Sequence, residues 1–296
     1  MLEFRDITLD DRGWITDCLR SSDMRGCEYS FANNLAWRRL HNSKIARLGD
    51  FYLSVSLDTH DGVPAFMYPA GEGDHREVLE RMRRYAEGMG KPLHIWNVSP
   101  ERLSWLREQF GEDAFTVEEN RDSWDYIYNS RDLSELAGRK YHQKRNFLHR
   151  FAQYDAQFSL MTEQDFDDCI AFAAVRYNEK LEGDSSAISE QFAIDTYFRY
   201  FSELKLEGAV LRADGRLIAF CVGEPLSSDT FCVHIEKADT TYQGVYAAIN
   251  QGFAAHAAQR FAYINREEDL GIEGLRKAKK SYHPAFMQEK YGVTFK

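Results

Sequence analysis

The chain has 296 residues, a formal net charge of -10 and 14% aromatic residues. Because 44% of the residues are hydrophobic, the composition excludes a disordered chain, and the acidity argues against general coating of nucleic acid. The length favours two domains, each able to bury its own core.

The N-terminal residues Met1 to Asp6 lack the basic start and apolar run of a signal peptide. No apolar stretch reaches the length of a membrane span. The five cysteines are scattered and form no Cys-x-x-Cys pair, which is typical of reduced cysteines rather than a disulfide framework or zinc site. We therefore expect a cytoplasmic protein without an integral membrane segment or a metal site. Its oligomeric state stays open.

The first half of the chain predicts alternating helices and strands. In chain order, the elements are helical segments at 10–20 and 29–40, hairpin strands at 51–57 and 63–68, a helix at 74–88, a strand at 93–98, a helix at 101–110, and closing strands at 115–117 and 124–128. Asp74 is suited to cap the helix that follows it.

The second half predicts the same order again. Its elements are helices at 165–177 and 188–204, hairpin strands at 209–212 and 217–222, a strand at 231–236, a helix at 242–258, a strand at 261–265, a helix at 272–282, and a closing strand at 291–295. The Asp214-Gly215 pair is a strong hairpin signal. We predict two mixed α/β domains, 1–132 and 156–296, joined by a basic helix at 133–155.

In each half an antiparallel hairpin leads into a parallel strand-helix-strand unit. By analogy, this order is the layout of the GNAT acyltransferase fold. The sequence therefore predicts two tandem GNAT-like domains of mixed α+β class, each a mixed sheet flanked by helices.

Two acid-free basic blocks stand out in this acidic chain. Residues 139–150 contain five Lys/Arg and two His, and residues 276–283 contain four more Lys/Arg. Without these nine charges the chain would stand at -10 - 9 = -19. Concentrated cations on a negative background usually meet an anion, although a solvated helix face is the simpler interpretation.

Helical phase places three lysines of these blocks towards apolar faces. At 100° per residue, Lys140 and Lys144 fall in the apolar arc of the first block, and Lys279 falls in that of the second. Inward lysines predict a cleft, because a buried ammonium needs a partner or a shifted pKa. The alternative is that these side chains snorkel past the apolar rim.

Three motifs resemble those of a bacterial family of unknown function, related to the C-terminal catalytic domain of phosphatidylglycerol lysyltransferases. They are YSFANNLAW at 29–37, LAGRKYHQKRN at 136–146 and YINREEDLGIEGLRKAK at 263–279. The resemblance implies tandem GNAT-like domains and transfer of an aminoacyl group from charged tRNA to an amine or hydroxyl acceptor. The lipid-modifying relatives carry a large membrane domain that this sequence does not contain, which argues against lipid as the acceptor.

A resemblance to GNAT enzymes also raises the question of acetyl-CoA. Those enzymes hold the pyrophosphate at a helix start with Arg/Gln-x-x-Gly-x-Gly/Ala. Around Gly244, Thr241 stands at the Arg/Gln position and bulky Tyr246 at the small one. We therefore expect acetyl-CoA to be a poorer donor than aminoacyl-tRNA, with no cofactor certain.

The strand at 231–236 supplies the predicted general base. Its alternation puts Cys232, His234 and Glu236 on one face. Glu236, at the strand end, is the preferred base for removing a proton from an acceptor amine. His234 is a candidate substrate-binding residue, and a solvent-facing polar pair is the alternative for both side chains.

The next strand ends in a polar run that completes the predicted site. Ends of parallel strands are where ligands bind in α/β sheets, so carboxylates here could grip an ammonium group. Alternatively, the acids pair with the basic helices. The predicted substrate-binding residues are Lys140, Tyr141, Lys144, Arg145, Asn146, His234, Asn265, Glu267, Asp269, Arg276, Lys279 and Tyr282.

The sequence thus predicts an acyltransferase of the aminoacyl-tRNA-dependent kind, with its site between the two domains. Two rival functions stay open: a conventional acyl-CoA N-acyltransferase, and a noncatalytic protein that binds RNA or an anionic metabolite. The predicted lining consists of Lys140, Lys144, Glu236, Asp269 and Lys279.

Overall fold

The structure is a computed structural model that describes residues 2–59, 61–180 and 185–296. It divides into two compact units. Unit 1 comprises Met1–Met24, Glu28–Trp124 and Gln288–Lys296, and unit 2 comprises Arg25–Cys27 and Asp125–Met287. Among the described residues, no helix combines the length and the apolar character that crossing a membrane requires.

Unit 1 is a mixed sheet with helices. Its helices are α1 (Arg12–Ser22), α2 (Phe31–Trp37), α3 (His75–Gly88) and α4 (Pro100–Phe110). Its strands are β1 (Ser43–Leu48), β2 (Phe51–Ser56), β3 (Ala65–Phe66), β4 (Ala70–Gly71), β5 (His94–Val98), β6 (Phe115–Glu119) and, from the far end of the chain, the strand Tyr291–Phe295. That last strand lies between β5 and β6 in the sheet.

Local sequence signals explain the elements of unit 1. The Asp74 side chain accepts a hydrogen bond from the Glu77 N–H at 3.1 Å, so the predicted cap of α3 is confirmed. The predicted hairpin is also present, since β2 pairs antiparallel with β3. The connection between the two predicted hairpin strands includes His60, which lies outside the described residues.

Unit 2 is a second mixed sheet with helices. Its helices are α5 (Ser130–Glu135), α6 (His142–Phe151), α7 (Phe166–Lys180), α8 (Ser185–Arg199), α9 (Phe201–Leu204), α10 (Val245–Ala257) and α11 (Glu273–Lys280). Its strands are β7 (Asp125–Asn129), β8 (Gln157–Leu160), β9 (Glu207–Ala213), β10 (Arg216–Pro225), β11 (Thr230–Ala238), β12 (Tyr263–Asn265) and β13 (Phe286–Gln288), and Tyr291–Phe295 of unit 1 is β14. The strand order is β13-β7-β12-β11-β10-β9-β8.

The sheet of unit 2 follows the predicted hairpin and crossover. Asp214 and Gly215 both have positive φ, 49° and 77°, as a two-residue turn between β9 and β10 requires. β11 pairs parallel with β12, and α10 connects them. Phe231 of β11 packs against Phe253 of α10, which places the core between this sheet face and α10.

Two of the three predicted closing strands belong to the opposite sheets. We predicted a strand at 124–128 for the first domain, but β7 pairs with β12 in unit 2. We predicted 291–295 for the second domain, but β14 pairs with β5 and β6 in unit 1. Alternation identifies a strand but carries no information about which sheet receives it, so the units depart from the predicted boundaries of 132 and 156.

Candidate functional site

β11 does not keep the regular alternation that we predicted for it. His234 stacks on Tyr197 of α8, with ring centroids 5.5 Å apart. Glu236 instead accepts a hydrogen bond from Asn250 of α10, on the face that also carries Phe231. The prediction that His234 and Glu236 share a face is therefore wrong.

A β-bulge explains this change of face. Val222 of β10 pairs with Ile235, but the next residue, Gly223, pairs with Val233, so the bulge leaves His234 between them. A Cβ at Gly223 would lie 2.2 Å from the carbonyl oxygen of Cys232, so only glycine fits there. The extra residue turns Glu236 towards α10.

Glu236 belongs to a group of five polar side chains that we call the Lys144 cluster: Lys144, Glu236, Asn250, Arg266 and Tyr282. Arg266 Nη2 lies 3.1 and 3.2 Å from the two Glu236 oxygens, and Asn250 Nδ2 lies 3.3 Å from Oε2. Arg266 Cζ lies 5.0 Å from the Tyr282 ring centroid. Glu236 and Arg266 each keep 13% of their side chains exposed, so the cluster reaches solvent there.

Lys144 lies against the same tyrosine. Its Nζ is 3.6 Å from the Tyr282 ring centroid and 2.6 Å from Ser281 Oγ, and the residue is only 8% exposed. Burial, assisted by the Arg266 charge and partly opposed by Glu236, lowers the pKa of Lys144 to about 8. The inward position predicted from helical phase is confirmed.

Two buried polar atoms of the cluster have no hydrogen-bond partner among the described residues. They are Asn250 Oδ1, an acceptor, and Arg266 Nη1, a donor. Burial raises the pKa of Tyr282 to about 12, so its hydroxyl stays protonated at neutral pH. Buried polar groups are usually paired, so an unpaired donor and an unpaired acceptor on two side chains that both contact Glu236 point to a ligand.

Lys279 is buried as predicted, but its ammonium has another role. Its Nζ donates to the carbonyl oxygens of Arg266 at 2.6 Å and Glu267 at 3.1 Å, and also to that of Glu268. Burial lowers the pKa of Lys279. With its three N–H groups on three carbonyls, Lys279 holds the loop after β12 and has no proton left for a substrate phosphate.

Asp269 and Arg276 form a second structural contact of that loop. Arg276 donates to both Asp269 oxygens at 2.9 and 2.8 Å, and the Tyr126 hydroxyl donates to Asp269 at 2.6 Å. Burial opposes the charged form of Asp269, but these donors lower its pKa below the ordinary value. At Asp269 the structure therefore agrees with the alternative prediction, in which the acids after β12 pair with the basic helices.

Asn265 and Glu267 are also bonded within unit 2. Asn265 Nδ2 donates to Asp125 Oδ2 at 2.8 Å, and Asn265 Oδ1 accepts from the Glu267 N–H at 2.6 Å. Glu267 Oε1 lies 2.8 Å from His234 Nδ1, away from Glu236 and its partners. The structure thus separates His234 and Glu267 from the Lys144 cluster.

The remaining predicted residues surround α6. Lys140 is 48% exposed at its side chain and pairs with Asp132 at 2.9 Å, so its predicted inward position is wrong. The reason is that residues 139–141 form a 3-10 turn, which advances about 120° per residue instead of 100°. Buried Tyr141 donates to the Tyr282 carbonyl at 3.0 Å, whereas Arg145 donates to backbone carbonyls of the segment that precedes α6.

Exposed cations of the two basic blocks lie beside this cluster. His283, just after α11, is 3.1 Å from the Lys140 carbonyl oxygen, which joins the two blocks. Asn146 is exposed near His142. Four exposed cations have no ion-pair partner among residues that the structure describes: Arg139, Arg150, Lys277 and Lys280.

The start of α10, where GNAT enzymes hold a pyrophosphate, is covered by α6. A Cβ at Gly244, the N-cap, would lie 2.2 Å from the Phe147 carbonyl oxygen. The Gln243 N–H donates to the Tyr154 hydroxyl at 3.2 Å. A carbonyl oxygen in this place repels a phosphate, in agreement with the departures at Thr241 and Tyr246.

Every predicted site residue lies in unit 2, and a site between the two domains stays a prediction. Asn250 and Arg266 were not among the predicted site residues. Asn250 is the sole amide in the apolar stretch 247–250 of α10, and Arg266 lies inside the motif at 263–279. Asn250 carried a signal, because a polar residue on a buried helix face needs a partner. For Arg266 the signal was its place within that motif.

Fold and sequence together define the class of the protein. The structure superposes on FemX with a TM-score of 0.67, 8% identity, and 99% and 97% coverage of the two chains. It also superposes on the C-terminal domain of a putative lysylphosphatidylglycerol synthetase from Agrobacterium fabrum, with a TM-score of 0.68, 14% identity, and 96% and 91% coverage. The two units are tandem GNAT-like domains of an acyltransferase-like fold, as predicted.

The family described as phosphatidylglycerol lysyltransferase, C-terminal, matches residues 19–294. The chain belongs to this family. It is 37% identical to a conserved protein of unknown function from Bacteroides thetaiotaomicron, whose crystal structure it matches with a TM-score of 0.91 over 100% of both chains. It is also 26% identical over 208 residues to an uncharacterised protein of Mycoplasmoides gallisepticum, and spans 64% of that curated relative's length and 68% of its own.

Proposed function

We propose that this protein transfers an aminoacyl group from charged tRNA to an amine or hydroxyl acceptor at the Lys144 cluster. The observation that carries the proposal is the pair of unpartnered buried atoms, Asn250 Oδ1 and Arg266 Nη1, beside a buried lysine. The family supports acyl transfer, and the lysyltransferase relatives supply the expectation of a tRNA donor.

Lys144 is suited to accept the proton that the reaction releases. With a pKa of about 8, about one lysine in ten is neutral at pH 7, compared with about one in three thousand for an ordinary lysine. The acceptor nitrogen or oxygen attacks the ester carbonyl of the aminoacyl-tRNA and forms the new bond. The ester C–O bond breaks, and Lys144 passes the proton to the departing ribose hydroxyl.

Glu236, our predicted base, has a different place in this proposal. Its two oxygens accept N–H groups from Arg266 and Asn250, so it orients those side chains. Arg266 Nη1 then donates to the carbonyl oxygen as negative charge develops on it. Asn250 Oδ1 accepts from the acceptor amine, and the protonated Tyr282 hydroxyl offers a further donor.

The unpaired exposed cations fit a polyanionic donor. Arg139 lies just before α6 and Arg150 lies in its last turn, and α6 also carries Lys144. Lys277 and Lys280 lie on α11, which Tyr282 follows. Cations without carboxylate partners lose little when a phosphate binds them, and their counterions are released. We therefore assign tRNA contact to these four residues and not to the buried Lys144 and Lys279.

Binding of tRNA at several salt concentrations tests this assignment. We expect aminoacyl-tRNA to bind the wild-type protein more tightly than uncharged tRNA or acetyl-CoA does. Lys277→Ala with Lys280→Ala should reduce the slope of log affinity against log salt by about 1 to 2. A matched control is Arg81→Ala with Arg83→Ala on α3, where both arginines are exposed and paired with Glu77 and Glu87.

Two results would contradict the proposal. One is an equal loss of slope in the α3 control, which would indicate a general charge effect. The other is tight binding of acetyl-CoA without tRNA binding, which would favour the acyl-CoA rival.

A further inference from the structure

We propose that Cys232, His234 and Glu267 bind a zinc ion in unit 2. The three side chains offer one sulfur, one nitrogen and one oxygen atom that all lie within 4.8 Å of one another. They are separate from the Lys144 cluster, so the site is an addition to the proposed acyl transfer and does not depend on it.

The donor separations are close to those of a tetrahedral zinc site. Cys232 Sγ lies 3.6 Å from His234 Nδ1, Nδ1 lies 2.8 Å from Glu267 Oε1, and the sulfur lies 3.9 Å from that oxygen. Zn–S bonds of about 2.3 Å and Zn–N or Zn–O bonds of about 2.0 Å place neighbouring donors about 3.3 to 3.6 Å apart. Movements of about half an ångström therefore suffice to admit the ion.

Glu224 supplies the outer contact that zinc-binding histidines usually have. Its Oε1 lies 3.1 Å from His234 Nε2, on the ring side opposite Nδ1. An Nε2–H bond to this carboxylate makes Nδ1 the nitrogen that binds a metal once the proton between Nδ1 and Glu267 has been released. The ring is fully buried at its side chain and stacked on Tyr197, so its orientation is held before any ion arrives.

Strand β11 and the loop after β12 create this convergence. Ordinary strand alternation directs Cys232 and His234 to the same side, and the bulge then turns Glu236 away from them. Lys279 holds the loop that carries Glu267 by donating to its carbonyl oxygen. A bound ion would connect β11 to that loop, in which Arg266 directly precedes Glu267.

The donor types select the metal. A thiolate, an imidazole and a carboxylate suit zinc, whereas magnesium and calcium prefer oxygen donors alone. One thiolate and one carboxylate also neutralise the two charges of the ion, which favours a buried position. Binding releases two protons to solvent: the thiol proton, because the thiolate is the ligand, and the proton shared between His234 Nδ1 and Glu267 Oε1, which lie 2.8 Å apart.

A neighbouring group has weaker chemistry for zinc. Cys27, Asp125 and Glu268 also converge within 4.8 Å, but they contain no imidazole. Asp125 Oδ2 already accepts from the Cys27 N–H and from Asn265 Nδ2, both at 2.8 Å. We therefore assign the ion to Cys232, and Cys27 serves as the comparison.

Zinc and cobalt titrations of the full chain test the site. After removal of metal with a chelator, wild-type protein should take up about one zinc per chain from zinc chloride. Cobalt chloride should give the near-ultraviolet thiolate-to-cobalt absorption. Cys232→Ser should lose this absorption, while Cys27→Ser and Cys221→Ser, a buried cysteine on β10, should keep it.

Glu224→Gln gives a second measurement that keeps the cysteine. Loss of the outer carboxylate should weaken zinc affinity about 10- to 100-fold while the thiolate absorption remains. The zinc affinities of Glu224→Gln and of wild type therefore test the site even if Cys232→Ser does not fold. The proposal is overturned if wild type binds no zinc, if Cys232→Ser binds it equally, or if the cobalt absorption depends on Cys27 instead.

Discussion

The buried charge of Lys144 should make the stability of the protein depend on pH in a specific way. In the folded state burial holds the pKa of Lys144 near 8, whereas its value in the unfolded chain is about 10.5. Between these values the unfolded chain binds more protons than the folded one, so the contribution of Lys144 to stability rises with pH. The penalty is complete below the folded pKa and disappears above the unfolded one.

The size of this penalty follows from the pKa shift. Lowering the pKa from about 10.5 to about 8 corresponds to about 3 kcal/mol near pH 7, because each tenfold change in proton affinity is worth about 1.4 kcal/mol. Near pH 9, where folded Lys144 is mostly neutral, about 2 kcal/mol remains. Lys144→Met removes the penalty, together with the Ser281 hydrogen bond and the contact with the Tyr282 ring.

The penalty for the buried Lys144 charge changes with pH, so the stabilities of wild type and Lys144→Met should be compared at two pH values. We expect the stability of Lys144→Met relative to wild type to fall by about 1 kcal/mol between pH 7 and pH 9. Urea unfolding at both pH values measures it, provided that the slope m is equal in the two proteins.

Lys140→Met is the matched control, four residues earlier in the same block. Lys140 is exposed, and its ion pair with Asp132 raises its pKa, so it does not titrate in this window. Its substitution should change stability by less than about 0.5 kcal/mol at either pH. A difference for Lys144→Met that stays constant or grows with pH would refute the assignment of a buried, proton-releasing lysine.

Two further changes test the backbone and the buried acid of unit 2. Gly244→Ala should cost more than about 2 kcal/mol in thermal unfolding, because φ is +89° and the Phe147 carbonyl occupies the place of the Cβ. Gly274→Ala, in open space on α11, should instead stabilise by about 0.5 to 1 kcal/mol, and similar effects at both glycines would be inconsistent with this geometry. Asp269, with a lowered pKa, stabilises the fold above its unfolded pKa and loses this effect as pH falls, so urea midpoints of wild type should drop more between pH 6 and pH 3 than those of Asp269→Asn. An equal drop would show that Asp269 does not carry this acid dependence.

Much of the fold could be predicted because local patterns determine it. The order of helices and strands, the Asp74 cap and the Asp214-Gly215 turn depend on neighbouring residues alone. The destinations of β7 and β14 could not be predicted, because both strands pair with segments distant in the chain. Pairing partners of this kind are decided by the tertiary structure.

The candidate site shows the same limit. Helical phase correctly placed Lys144 and Lys279 inside, because both lie in regular α-helices. It failed for Lys140, which lies in a 3-10 turn, and strand alternation failed for Glu236, which follows a bulge. Local irregularities of one residue change which face a side chain occupies, and they leave little trace in the hydrophobic pattern.

Sequence also could not distinguish a ligand-binding cation from a structural one. Lys144 and Lys279 are both buried lysines in basic blocks, but Lys279 donates to three backbone carbonyls. Only coordinates separate these cases, because the acceptors belong to a loop 11 to 13 residues away.

Transfer from charged tRNA tests the central proposal most directly. Purified protein would be mixed with tRNA carrying labelled amino acids and with a panel of amine and hydroxyl acceptors, and the new amide or ester would be measured. We expect wild type and the exposed-surface variant Arg216→Met to form product, and Lys144→Met to be slower by about 100-fold or more. Two results would contradict an aminoacyl transferase that uses Lys144 as its base. One is product formation no faster than in the same mixture without the protein, and the other is an undiminished rate in Lys144→Met.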